Sequence, residues 1–185
     1  MAVGVCVSRR SKTAGFLRTP LLVACVSAFF ASSGVSAAPL KQPLRFFEGR
    51  TELSGTLKAF MKGTRRVLSI GHGTITSDGT LTLVQQVEDE GEKPHQRVWR
   101  IRQVAPGKFS GFMSEAAGPV TIEQVGDKYR FRFNLRGGLT AEQWIVPNAD
   151  GGSGLSVLTV RKLGMVVARS EATIRRLSQQ ASNSH

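Results

Sequence analysis

The sequence predicts an all-β chain, a single antiparallel up-and-down β-barrel with a β-sandwich as the alternative, preceded by an N-terminal leader. Three observations carry this expectation. Glycine is plentiful, at 20 of 185 residues, and falls between short apolar runs, as it does where tight turns join strands. Turn signals recur at roughly 8–12-residue intervals, the spacing of a sandwich or barrel. Residues 128–136 alternate strictly: Tyr129, Phe131, Phe133 and Leu135 share one face, and Lys128, Arg130, Arg132, Asn134 and Arg136 share the other. A period of two sustained over that length does not fit a helix.

Residues 1–37 read as a signal peptide. Arg9, Arg10, Lys12 and Arg18 make a basic start, residues 21–35 are apolar and rich in small side chains, and Val35-Ser36-Ala37 offers a cleavage site after Ala37. The apolar run is shorter than the ~20 residues a membrane-spanning helix needs. Leu22-Val23-Ala24-Cys25 has the form of a lipobox, which would anchor the chain through Cys25, but the apolar stretch continues past that cysteine. Arg9-Arg10 has the form of a twin-arginine signal, with Lys12 where an apolar residue is usual. An exported, periplasmic or envelope-associated protein is the expected result.

Residues 38–45 form a tether, and residues 46–176 the barrel domain. Phe46-Phe47 is an aromatic pair ended by Glu48-Gly49. Residues 65–76 are a strand, Ser77-Asp78-Gly79 a hairpin turn, and residues 80–87 a strand that sets Leu81, Leu83 and Gln85 against Thr82, Val84 and Gln86. An acidic turn at residues 88–92 leads to a strand at 97–104 and the turn Ala105-Pro106-Gly107. Residues 108–113 and 120–125 are short strands, and Gly126-Asp127 turns into the alternating strand. Gly137-Gly138 ends that strand; strands at 140–146, 155–162 and 165–176 follow, and residues 177–185 form a polar tail expected to be disordered. Connections this short pair sequence neighbours antiparallel, and eight to ten strands avoid exposed edges by closing on themselves.

After residue 37 the chain holds 21 bases and 13 acids, a net charge of +8, which favours anionic surfaces. Cys6 and Cys25 both precede the cleavage point, so the mature domain has no disulfide, cysteine nucleophile or thiolate metal site. His72, His95 and His185 show no metal-binding spacing, and the acidic turn lacks the alternation of a calcium loop. Gly151-Gly152-Ser153-Gly154 lacks the strand–helix setting of a nucleophile elbow. No catalytic residue, metal site or cofactor is expected, and the enzyme question stays open, leaning to no, with a small-lipid enzyme as the less favoured alternative. Nucleic acid is not an expected partner, because stacking sheets carry aromatics and cations on one face and here they lie on opposite faces. A membrane-spanning barrel is disfavoured by the short strands and the single tyrosine.

The order of several short motifs resembles the bacterial family catalogued as domain of unknown function 3833. These are Phe46-Phe47-Glu48-Gly49 with Gly55, the acidic turn 88–92, Arg97-Val98-Trp99-Arg100-Ile101, Phe109-Ser110-Gly111, Ala116-Ala117-Gly118, the run Val160-Arg161-Lys162-Leu163-Gly164-Met165, and Ser170-Glu171-Ala172-Thr173-Ile174. They extend from Phe46 to Arg176. Glu115 stands where the family has aspartate, and no Asp-Asp-Trp run follows Trp144. The resemblance implies a lipocalin-like β fold in a Gram-negative bacterium and no established activity.

Two candidate surfaces follow. Tyr129, Phe131, Phe133 and Leu135, with Trp99 and Trp144, are expected inside the barrel, as packed core or as the wall of a pocket for a small apolar or amphipathic ligand. Arg130, Arg132 and Arg136 are expected outside as a basic face for anionic lipid, lipopolysaccharide or a partner protein.

Overall fold

Strands form where apolar and polar side chains alternate, and short turns between them force antiparallel pairing. In the computed structural model, which describes residues 43–178, this happens ten times in succession. The expected leader, its cleavage point and most of the polar tail lie outside the described residues. A 3-10 turn, η1 (Pro43–Phe47), is followed by β1 (Gly49–Ala59), β2 (Gly63–Ile75), β3 (Leu81–Asp89), β4 (His95–Ala105) and β5 (Lys108–Met113). β6 (Val120–Val125), β7 (Lys128–Leu135), β8 (Leu139–Pro147), β9 (Ser153–Lys162) and β10 (Met165–Leu177) complete the set.

Each strand pairs with its sequence neighbours, and β1 pairs with β10 from Arg50 opposite Leu177 to Ala59 opposite Ala168. The sheet is a closed antiparallel barrel, so the sandwich alternative does not apply and no strand edge is left open. Three sequence boundaries shift. β1 was not separated as a strand by its pattern, the turn η1 takes in residues assigned to the tether, and β10 runs through Leu177, the first residue assigned to the tail.

Odd-numbered residues of β7 and β8 and their partners around the barrel point inward. Leu81, Met113 and Val120 are fully buried, and Trp99 meets Phe131 and Phe133 edge-on at centroid distances of 6.2 and 5.8 Å. Each such side chain stabilises the fold by about 1.5–3 kcal/mol through burial. The outward rows are rich in charge, with Glu123 beside Arg130 and Arg132. A barrel spanning lipid has the reverse arrangement, apolar outside and polar inside.

The two ends of the barrel differ. The turns after β2, β4, β6 and β8 share one end with η1, which caps it: Phe46 is buried and packs perpendicular to Phe47 at 5.0 Å. The cap seats against two glycines. A Cβ on Gly73 would stand 1.9 Å from the Phe47 carbonyl oxygen, and one on Gly154 would stand 3.2 Å from the Phe46 ring. The turns after β1, β3, β5, β7 and β9 form the opposite end, which η1 does not cover.

Candidate functional site

The inward side chains leave a cavity of about 160 Å³ inside the barrel. Its walls are mostly apolar, including Leu53, Leu57, Val67, Trp99, Phe131, Phe133, Leu135 and Leu158. A few polar groups interrupt them. Trp99 Nε1 donates to Gln85 Oε1 at 2.7 Å, Gln85 Nε2 donates to Ser69 Oγ at 3.3 Å, and Gln143 Nε2 donates to Ser156 Oγ at 2.8 Å. The two serine hydroxyls act as acceptors in these bonds and keep a proton to donate. Ser170 completes the polar set on the wall. An apolar enclosure with a few fixed polar groups is the usual composition of a small-molecule site.

The cavity reaches the uncapped end, where Asp89, Arg97 and Glu115 contribute to its lining. Arg97 grips Glu115 through two bonds, Nε at 3.0 Å and Nη2 at 2.8 Å, and His95 Nε2 meets the same carboxylate at 2.9 Å. Beside them Arg65 Nη1 donates to Glu92 at 2.7 Å and Arg65 Nη2 approaches Asp89 at 3.9 Å, while Arg65 Nε is buried with no hydrogen-bond partner. The Arg65 hydrogen bond and charge hold the Glu92 carboxyl below its ordinary pKa. The acidic turn is therefore held by arginines of β2. Bidentate arginine–carboxylate pairing fixes geometry as well as charge, so the mouth has a defined polar rim.

Among the sequence-predicted interior residues, Trp99, Phe131, Phe133 and Leu135 line the cavity. Tyr129 is buried, with its phenol pKa raised by burial, but it lies toward the capped end and is not part of the cavity wall. The placement of Trp144 corrects the expectation. It points outward on β8, opposite Arg130, whose guanidinium lies 5.5 Å from the indole centroid, and its Nε1 donates to Glu142. The inward positions around it are Ala141, Gln143 and Ile145. The basic face is outward as expected, but Glu123 pairs with both Arg130 at 2.6 Å and Arg132 at 3.1 Å, so it is partly neutralised; Arg136 is exposed in the turn after β7. His72 also faces outward and is exposed.

Sequence reasoning missed the rim of Arg65, Asp89, Arg97 and Glu115. The signal was available in parity: Arg97 shares the inward set of Trp99 and Ile101, and Asp89 that of Val87 and Gln85.

The family model described as "Protein of unknown function (DUF3833)" matches residues 20–152, and the chain belongs to that family. The match begins and ends earlier than the stretch from Phe46 to Arg176, so the motifs at 160–165 and 170–174 fall outside it. Three solved structures share the fold. An S-type phycobiliprotein lyase, CPES from Guillardia theta, is similar with a TM-score of 0.60 and 11% identity, over 77% of this chain and 95% of that one. Rv2717c from M. tuberculosis has a TM-score of 0.56 and 19% identity, over 76% and 98%. A protein of unknown function of the DUF3598 family from Nostoc punctiforme has a TM-score of 0.53 and 11% identity, over 80% and 53%. At these identities the likeness establishes a lipocalin-like barrel fold and no shared activity. No curated protein matches the sequence significantly.

Proposed function

We propose that this DUF3833-family barrel is a binding protein that takes up a small apolar or amphipathic ligand, apolar part inward and polar end at the Arg97–Glu115 rim. One observation carries the proposal: the aromatic face of β7 does not close on itself as solid core but walls a cavity with Trp99 and the inward leucines. An engineered apolar cavity of about 150 Å³ is large enough to bind benzene. The present cavity therefore accommodates a ring or a short aliphatic segment, with the rest of a longer ligand toward the mouth. Fold likeness to a phycobiliprotein lyase supports a ligand-binding barrel by analogy. Docking through the Arg130–Arg132 face has less support, because Glu123 offsets both charges. The proposal places the barrel in the bacterial envelope on the strength of the signal-like residues 1–37.

The test is native mass spectrometry of purified residues 38–185, with organic extraction of whatever co-purifies. The expected result is a near-stoichiometric apolar passenger, or uptake of an added fatty acid or phospholipid. Ser170→Phe, which projects a ring into the cavity, is expected to abolish that mass while the far-ultraviolet spectrum stays that of a β-barrel. An apo mass with no uptake by the unsubstituted protein would overturn the proposal.

A further inference from the structure

Among the described residues, the three most exposed large apolar side chains are Met61 (90%), Leu163 (89%) and Phe60 (74%). All three lie at hairpin tips of the uncapped end, Phe60 and Met61 between β1 and β2, Leu163 between β9 and β10. Exposed Met165 and Val166 follow directly at the start of β10. The two tips are neighbours, because β1 pairs with β10 and the Phe60 amide donates to the Val167 carbonyl at 2.8 Å. Five exposed apolar side chains thus form one lip beside the cavity mouth.

Turn chemistry does not account for them. Leu163 and Gly164 join Lys162 to Met165 with φ of 49° and 82°, so both central residues are left-handed. A two-residue turn of that kind favours Asn-Gly or Asp-Gly. Met61 is left-handed as well, at φ 62°. Leucine and methionine at these positions bear backbone strain and expose apolar surface to water at once. Strained positions of this sort point to function.

Cations stand one step behind the apolar tips. Lys58 and Lys62 flank the first, and Arg161, Lys162 and Arg169 the second, with no acid from residue 53 to 77 or from 151 to 170. Of the acids at this end, Glu90 pairs with Arg66, Glu92 and Asp89 with Arg65, and Glu171 with Arg169; the charge of Lys62 also reaches Glu92, and Glu88 is exposed on β3 opposite Leu68. Lys58, Lys62 and Lys162 make no ion pair among the described residues. We propose that this lip inserts its apolar tips into an anionic phospholipid bilayer, with the flanking lysines at the phosphate level, and so holds the cavity mouth against the membrane. The layering of hydrocarbon outermost and cations behind matches a bilayer interface. The lip is independent of what the cavity binds.

The test is co-sedimentation of residues 38–185 with vesicles of phosphatidylcholine alone or with about 30% phosphatidylglycerol. The barrel closes within residues 49–177, and this form leaves out the apolar residues 21–35, which would bind lipid by themselves. The expected result is partitioning at least about tenfold stronger onto the anionic vesicles. The double variant Met61→Asn, Leu163→Asn is expected to lose about tenfold or more of that binding. Its melting temperature should be unchanged or higher, because asparagine tolerates the left-handed backbone. Wild-type protein that ignores anionic vesicles, or a double variant that binds them equally well, would overturn the proposal. So would a dimer in solution that the double variant converts to monomer, which would assign the lip to a second copy of the chain.

Discussion

Glu123 sits between two guanidinium groups, and its carboxylate is the residue-scale feature with the clearest chemical consequence. The Arg130 hydrogen bond, followed by the charges of Arg132 and Arg130, holds its pKa below the ordinary value. A folded-state pKa below the unfolded one means the unfolded chain binds the proton more readily as pH falls. The stabilisation is therefore fully present above the unfolded pKa and is lost as pH drops through the folded one. Glu123→Gln should melt below wild type at neutral pH, and the two curves should converge as the pH falls below the ordinary carboxylate range, which thermal scans across the acid range will check. A gap constant with pH would show that the pair acts through shape alone. Asp78 and Asp150 share the sign for a different reason: each accepts hydrogen bonds within its own turn, from Thr76 and Thr80 and from Gly152 and Ser153.

At the scale of elements, η1 is the piece that makes one end of the barrel a floor. Its seat depends on the missing Cβ of Gly73, where the Phe47 carbonyl approaches. Gly73→Ala should push η1 off the barrel end and destabilise the protein by about 1–3 kcal/mol, the usual consequence of overpacking, measurable by urea denaturation. An unchanged midpoint would mean that the cap is dispensable. None of this was legible in sequence, because Pro43-Leu44-Arg45-Phe46-Phe47 has no periodicity and its partners Gly73 and Gly154 are distant in the chain. What was legible follows one rule: where large apolar side chains alternate with charged ones, parity assigns the faces. β7 obeys it, so Phe131 and Phe133 were found inside from their letters alone. In β8 the bulk of Trp144 outweighed a parity that Ala141 and Ile145 state correctly, and the indole turned out to cover Arg130 on the exterior. β1 carries few large side chains, only Leu53 and Leu57 facing in, so its alternation was faint. The acidic turn at residues 88–92 gives no hint of the arginines that hold it, because pairing across strands, such as Arg65 with Glu92, is invisible until the register is known.

The barrel is polar in the directional sense, with a capped end and an open end joined by one cavity. If the open end is also the lipid-facing end, a ligand passes between bilayer and cavity without crossing bulk water, and the orientation of the barrel on the membrane becomes a measurable quantity. Residues 38–185 contain no cysteine, so single cysteines can be placed at will. An environment-sensitive fluorophore at Thr64→Cys, beside the lip at the start of β2, should shift to the blue on adding phosphatidylglycerol vesicles. The same label at Asp127→Cys, in the turn between β6 and β7 at the capped end, should stay at its aqueous emission. Both positions are exposed, so neither substitution disturbs the core. A blue shift at Asp127 instead would mean that the capped end faces the lipid and the mouth faces water. In that case the exposed apolar lip would serve some other contact, and ligand exchange would have to occur through solvent. A shift at both positions would indicate non-specific adsorption of a basic protein, which added salt would remove within the range where the Debye length falls from ~10 to ~3 Å.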